Sequence, residues 1–338
     1  MTWDVLGNEW AVEHLQRQIQ KQTTQHAYLI SGPNGVGKAA LANEFARALQ
    51  CENAFETGQP CGECRACKLI LSRTHPDIHF VTPEEESTGI AIDQIRKLQP
   101  QLALSPFEGR WRIAILPDFH NASAQATNAI LKTSEEPPPR VKLILTTDST
   151  ELVLPTLVSR CEVLQLRSMA IPALSSALIA REVPEGEAAR LAAYSAGLPV
   201  RAVAWLESPE LLEARFSLIA ELQDLLSQGR VERFTYVQGL TRKKAEPLEV
   251  VRAKCRAVLD AWLGYFRDLL MLTNGVDGWI VNEDRRAKLE TLAASLTVKQ
   301  VYRSLVAIHQ TQQALSMNAN PQLAMEALIL QLPRLKMA

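Results

Sequence analysis

The residues best placed to do chemistry fall in two groups. The first is Cys51, Cys61, Cys64 and Cys67, with two C-x-x-C turns overlapping at Cys64. Cysteine thiolates bind zinc in tetrahedral sets, and a C-x-x-C turn places two sulfurs on one ion. Cys61, Cys64 and Cys67 can therefore converge, and Cys51 supplies the fourth ligand from a preceding helix end. Four thiolates leave no open position, so such a Zn²⁺ site is structural and not catalytic. Free or disulfide-paired cysteines are the plainer alternative. In a long chain of a reducing compartment the clustering favours a metal. Cys161 and Cys255 stand alone and read as ordinary buried thiols.

The second group is Gly32-Pro33-Asn34-Gly35-Val36-Gly37-Lys38-Ala39. It reads as a phosphate-binding loop, G-x-x-x-x-G-K, with the wrong final letter. The glycines let backbone N–H groups converge on a phosphate at a helix N-terminus, and Lys38 can reach the terminal phosphates. The hydroxyl that should follow the lysine, to ligate Mg²⁺, is absent because Ala39 stands there. A Gly-rich turn without a ligand is the plain alternative.

The flanking elements suit such a loop. An apolar run, Ala27–Ile30, precedes it, and a helical pattern follows to about Leu49. Upstream, Trp3 to Gln22 has helix-like spacing, with Trp10, Leu15 and Ile19 recurring on a polar background. Further strands are expected at Asp77–Val81, Trp111–Leu116, Val141–Thr147 and Cys161–Leu166, with a helix starting at Ile90–Leu98 and another over Asn121–Glu136, stopped by Pro137-Pro138-Pro139. This alternation predicts a parallel sheet covered on both faces. From Ser168 strand signals vanish. Helices are expected at Ala173–Glu182, Glu185–Ser195 and Val200–Leu206, then from Pro209 to Leu335 with breaks near Gly229, Pro247, Gly275–Gly278 and Pro321.

A phosphate-loop ATPase needs a second apolar strand that delivers an acid to Mg²⁺ and then a carboxylate that orients the attacking water. The strand through Leu116 is followed by Asp118, but Phe119 stands where the second carboxylate is expected. A phenyl ring cannot accept a proton. With Ala39 this makes two losses that both predict little or no hydrolysis. Glu135 and Glu136 end a helix before the proline run. Adjacent helical positions do not face one target, so they read as structural.

With 338 residues, two or three domains are expected, and 47% hydrophobic residues suffice for full-sized cores. A formal net charge of −1 announces no global nucleic-acid-binding field. No apolar signal core and no membrane-length apolar run are seen, so a cytoplasmic protein with no membrane partner is the expectation.

Several stretches resemble clamp-loader subunits of the AAA+ family: Trp3-Asp4-Val5-Leu6-Gly7-Asn8, His26-Ala27-Tyr28-Leu29, the loop Gly32–Lys38, Asn128–Pro138 and Ser159-Arg160-Cys161. The four-cysteine insertion after the loop helix is similar to the bacterial DNA polymerase III clamp loader. The altered nucleotide motifs narrow the resemblance to its delta-prime type of subunit. The match is dense over 1–206 and beyond that rests on length and helicity. It implies an α/β fold: a AAA+ P-loop NTPase core with a parallel five-stranded sheet over 1–167 carrying a zinc module at 51–67, a small helical lid over 168–208, and an all-α collar over 209–338. It also implies that Arg160 is offered to the ATP site of a neighbouring motor subunit, where a guanidinium can add about 10³ in rate. A surface salt bridge at a strand start is the plain reading of Arg160. Thr147 matches the family's γ-phosphate-sensing residue and Arg201 its lid arginine. A strand-end hydroxyl and a solvated helix residue are the alternatives.

Partners implied are motor and delta-type subunits and, through the complex, the sliding clamp and primer-template DNA. ATP or ADP is expected to bind weakly at most. Arg230 to Arg256 holds eight basic residues against three acids. DNA phosphates could use it, though a solvated helix face is the preferred reading. Two other functions compete. An active AAA+ motor or remodeler is opposed by Ala39 and Phe119. A zinc-dependent nucleic-acid-binding module is opposed by the small size of a closed knuckle, with only Arg65 and Lys68 crowding it.

Overall fold

The computed structural model describes residues 3–84, 89–242, 246–278 and 280–335. The chain divides into two compact units, residues 1–188 with 197–201, and residues 189–196 with 202–338.

The first unit contains α1 (Glu9–Lys21), β1 (Ala27–Ser31), α2 (Lys38–Gln50), α3 (Ala54–Thr57), α4 (Arg65–Leu71), β2 (Ile78–Phe80), α5 (Ile92–Ala103), β3 (Arg112–Leu116), α6 (Ala124–Glu135), β4 (Val141–Thr147), α7 (Pro155–Val158), β5 (Glu162–Gln165) and α8 (Ile171–Ile179). The five strands form one parallel sheet in the order β2-β3-β4-β1-β5. β1, β3 and β4 are buried along their whole length, so their sequences are mostly apolar and do not alternate, with the buried Arg112 and Lys142 near the starts of β3 and β4. Successive residues feed opposite layers. Tyr28 and Ile30 join the core with α1 and α2, while Ala27 and Leu29 join the core with α5 and α6.

Two local expectations are corrected. The lead-in helix begins at Glu9 and not at Trp3, because Gly7 (φ 75°) and Asn8 (φ 56°) are left-handed. Trp3 instead packs inward and donates its indole N–H to the Gly58 carbonyl at 3.0 Å. Trp10 lies 47% exposed, and the buried stripe is Ala11, Leu15 and Ile19. Likewise α6 begins after Ser123, whose hydroxyl accepts from the Ala126 N–H at 3.2 Å, and not at Asn121, which belongs to a separate 3-10 turn.

α9 (Glu185–Tyr194) and α10 (Pro199–Glu207) are divided between the units. The second unit is otherwise α11 (Pro209–Ser227), α12 (Arg230–Thr241), α13 (Leu248–Thr273), α14 (Arg286–Ser295), α15 (Val298–Ser316) and α16 (Pro321–Gln331). Its core centres on Trp262, Tyr265 and Phe266 of α13. The breaks expected at Gly229, Pro247, Gly275–Gly278 and Pro321 are present. A further one at Thr297, which caps α15 through the Gln300 N–H, was not expected. Among the described residues no helix is long and apolar enough to cross a membrane.

Candidate functional site

In an all-parallel sheet the C-terminal strand ends share one edge, where ligand loops gather. The glycine loop leaves β1 at that edge, and the Gly32 N–H donates to the Thr147 carbonyl of β4 at 3.1 Å. Gly32 (φ 154°) allows a close approach, since a Cβ there would lie 2.7 Å from the Leu166 carbonyl oxygen. Gly37 (φ 105°) is the N-cap of α2 and offers no side-chain acceptor to the first helical N–H groups. A Cβ at Gly37 would meet no described atom within 4 Å. That open helix end fits an anion. Gly35 is closed over: a Cβ there would lie 3.4 Å from Arg201 Cβ, and its carbonyl accepts from the Val200 N–H at 3.0 Å. Asn34 is an exposed residue of the same turn.

Lys38 is engaged within the chain. Its Nζ donates to the Gly32 carbonyl and to Asp148 Oδ1, both at 2.7 Å, with the side chain 8% exposed. His120 Nε2 lies 3.7 Å from the other oxygen of Asp148. Sequence reasoning missed Asp148. Its only signal is its place directly after the last residue of β4.

Asp118, the expected Mg²⁺ acid, is exposed and left-handed (φ 46°), and its N–H donates to Thr146 Oγ1 at 2.9 Å. Phe119 is 2% exposed, so the place of the expected carboxylate belongs to the core. Thr147 is fully buried and donates its hydroxyl to the Ser149 carbonyl at 2.9 Å.

All four cysteines of the insertion meet, with every sulfur within 4.8 Å of the others. Cys51 and Cys61 Sγ are 3.6 Å apart, and Cys51 and Cys64 Sγ 4.0 Å. Ligands at about 2.3 Å from a tetrahedral zinc sit about 3.8 Å from one another. The Cys64 and Cys67 N–H groups point at the preceding sulfurs, Cys61 and Cys64, at 3.3 and 3.4 Å. The Cys64 N–H pulls the Cys61 thiol down to about 6, while burial pushes Cys64 and Cys67 up. The cluster can hold a tetrahedral metal ion, and its buried members Cys51 and Cys67 belong to the core.

The cysteine turn is also more crowded than its sequence suggests. The loop between α5 and β3 packs on it, with Arg110 3.6 Å over the Phe55 ring and Glu108 3.2 Å from Arg65. That loop hangs on Asp77, fully buried, which accepts from the N–H groups of Phe107, Glu108 and Gly109 at 2.7, 3.0 and 2.7 Å.

Arg160 lies at the other edge of the sheet. It stands two residues before Glu162, which pairs with Tyr28, whereas Gly32 lies four residues beyond Tyr28. Arg160 thus precedes the start of β5, whereas Gly32 follows the end of β1, so the two lie at opposite ends of the parallel strands. Its Nη1 donates to the Thr156 carbonyl at 2.7 Å and its Nη2 to Glu135 Oε1 at 3.0 Å, with the side chain 36% exposed. The plain expectation of a salt bridge is therefore met, and the side chain remains partly exposed.

The basic segment is not a uniformly solvated face. Arg233 is buried and donates to five carbonyls, those of Leu225, Leu226, Ile329, Leu332 and Pro333. Arg252 is buried against Asn318, and Lys254 pairs with Glu246 at 2.6 Å. Residues at and just past helix C-termini supply the carbonyls that let Arg233 and Arg252 leave water, whereas Lys254 stays partly exposed on a carboxylate. Lys243 and Lys244 lie outside the described residues.

Two family models match this chain: "DNA polymerase III, delta subunit" over residues 7–170 and "DNA polymerase III, delta subunit, C terminal" over 209–334. The DNA polymerase III subunit delta' of Bacillus subtilis is 30% identical over 321 residues, 94% of either chain. This chain belongs to the delta-prime family of DNA polymerase III subunits. The delta' subunit of Pseudomonas aeruginosa is 35% identical over 206 residues, 60% of this chain and 62% of that one. The tau subunit of Bacillus subtilis is 26% identical, covering 97% of this chain and 61% of that one. A solved DNA polymerase III gamma subunit-related protein of Thermotoga maritima is 20% identical over 95% of this chain and 98% of that one, with a TM-score of 0.43. The delta-prime chain has the expected α/β core built on a five-stranded parallel sheet, with an all-α C-terminal region.

Proposed function

We propose that this chain is a delta-prime-type subunit of a clamp loader, helping to load the sliding clamp onto primed DNA in chromosomal replication. It hydrolyses little or no ATP and supplies Arg160 in trans to the ATP site of a neighbouring motor subunit. The observation that carries the reading is the position of Arg160. A partly exposed arginine at the opposite end of the strands from its own glycine loop cannot serve that loop, but it can serve another chain's. Ala39 and the buried Phe119 oppose the motor alternative.

The glycine cradle and Lys38 support weak binding of ATP or ADP, in which Lys38 exchanges its Asp148 contact for phosphate. Gly32, Asn34, Gly35 and Gly37 belong to that loop, and Asp118, Thr147 and Arg201 are proposed as remnants of a nucleotide site. Zn²⁺ is the ion proposed for Cys51, Cys61, Cys64 and Cys67, in a purely structural role, because a closed set of four thiolates suits it. The chain works in the cytoplasm within a hetero-oligomer of motor and delta-type subunits. Its working parts are a core over 1–167, a lid over 168–208 and a collar over 209–338.

The test is Arg160→Ala in the reconstituted complex. The variant is expected to fold and assemble normally and to lower DNA-stimulated ATP turnover at the adjoining site by about 10³. Unchanged turnover would refute the reading.

A further inference from the structure

We infer that Glu135 is a positioning residue for Arg160, holding the guanidinium in its outward aim before a neighbour arrives. This rests on the proposed role of Arg160 and adds a residue to which no role has been assigned. Glu135 is the last residue of α6, and its Oε1 accepts from Arg160 Nη2 at 3.0 Å. The second anchor is the Thr156 carbonyl in α7, which accepts from Nη1 at 2.7 Å. Both anchors stand on fixed backbone. Ser134, beside Glu135, is 3% exposed and bonds back to the Leu131 carbonyl at 2.7 Å, and α7 starts with Pro155.

The guanidinium is a planar fork of five N–H donors. Two of its nitrogens are each held by an oxygen of the same subunit, and with the side chain 36% exposed the fork retains donors for an oxyanion of another chain. An arginine left loose must give up much rotamer freedom when it docks on a phosphate, and pinning it beforehand removes that loss from the step that matters. Glu136, next along the chain, lies past the helix end in a non-helical conformation (φ −126°) and is exposed, and the ion pair is made by Glu135. The contribution is bounded by the exposure of the pair. Ion pairs of this kind change an equilibrium by at most about fivefold.

The experiment uses the full reconstituted complex with primed DNA and compares Glu135→Ala, Glu135→Gln, Glu136→Ala, Arg160→Ala and the double variant Glu135→Ala/Arg160→Ala. Glu135→Ala is expected to lower maximal turnover at the adjoining site about three- to fivefold, with KM for ATP, assembly and thermal midpoint unchanged. Glu135→Gln, which keeps a carbonyl acceptor, should recover most of that loss, and Glu136→Ala should match the native chain. The double variant should be no slower than Arg160→Ala alone. Native turnover with Glu135→Ala, in a complex where Arg160→Ala is slow, overturns this inference and leaves the proposed function standing. A double variant slower than Arg160→Ala also overturns it, because Glu135 would then act by another route. Native turnover with Arg160→Ala overturns both.

Discussion

Replacing Asp77 by Asn is expected to loosen the first unit by about 3 kcal/mol, and the figure follows from three hydrogen bonds. The Asp77 carboxylate, 0% exposed, accepts from the Phe107, Glu108 and Gly109 N–H groups and lies 3.8 Å from Arg112 Nη2. Hydrogen bonds to a charged acceptor are worth about 1.5–3 kcal/mol each. An amide can turn its carbonyl oxygen to the two N–H donors that Oδ2 served, but those bonds lose their charge and its NH₂ group is then set against the Phe107 N–H and Arg112. The gross loss is therefore about 3–6 kcal/mol. Part of it returns because water reaches the loop, where Phe107 is 80% exposed. For a unit of this size about 3 kcal/mol corresponds to a thermal midpoint roughly 6–12 °C lower. Burial alone would raise the Asp77 carboxyl pKa, but the three N–H donors and Arg112 outweigh it and hold it below its ordinary 3.8. A carboxyl depressed in the folded state stabilises above its unfolded value and loses that contribution as pH falls through its folded one. The gap between native and Asp77→Asn midpoints should be full at pH 7 and should narrow below about pH 4. Thermal melts at several pH values read both. A midpoint shift under about 2 °C at pH 7, or a gap that widens in acid, would refute the role given to Asp77.

Two other variants test separate parts of the molecule. The purified chain should carry one zinc ion per four-cysteine cluster, and Cys64→Ser should surrender its metal to a chelator that the native chain resists; equal retention by both would count against the site. Stripping the metal should lower the thermal midpoint while leaving the sheet folded, since the core around Cys51 and Cys67 is built mostly from aliphatic and aromatic side chains. In the second unit, Arg233→Met removes five donations that tie the end of α11 to the end of α16, at an expected cost of about 3–5 kcal/mol. A change under about 1 kcal/mol in denaturant unfolding would show that the buried guanidinium is dispensable.

The strands were legible because β1, β3 and β4 are buried on both faces, which favours predominantly apolar sequence, and because prolines and glycines punctuate the connections. The cysteine cluster was legible because its ligands are close in sequence. Trp3 misled because an indole on a helical stripe and an indole tucked under a neighbouring loop have the same spacing, and only the left-handed Gly7–Asn8 pair separates them. Arg233 and Arg252 misled for a different reason. A charge run signals solvent only when water is the best available acceptor, and here carbonyls at helix ends replace it.

Partners across the sheet were the least legible, and they decide the chemistry. Lys38 faces Asp148 because β1 and β4 run side by side, with Ser31 opposite Thr147, so the residue after Thr147 emerges beside the glycine loop. Asp118 leaves the neighbouring strand β3 at the same edge, but a left-handed turn leaves it exposed and puts Phe119 into the core. Arg160 and Glu135 meet by the same logic at the opposite edge, 25 residues apart in sequence. Each pairing depends on strand order and register, neither of which a linear pattern contains. On the proposed function the two edges have separate tasks: the glycine loop joins β1 to α2 and holds a nucleotide weakly, and the opposite edge presents an arginine outward. Restoring Ala39 to Ser would return only the Mg²⁺ hydroxyl. It would leave Phe119 buried where a water-orienting carboxylate is needed, so that single change is not expected to produce turnover by this chain.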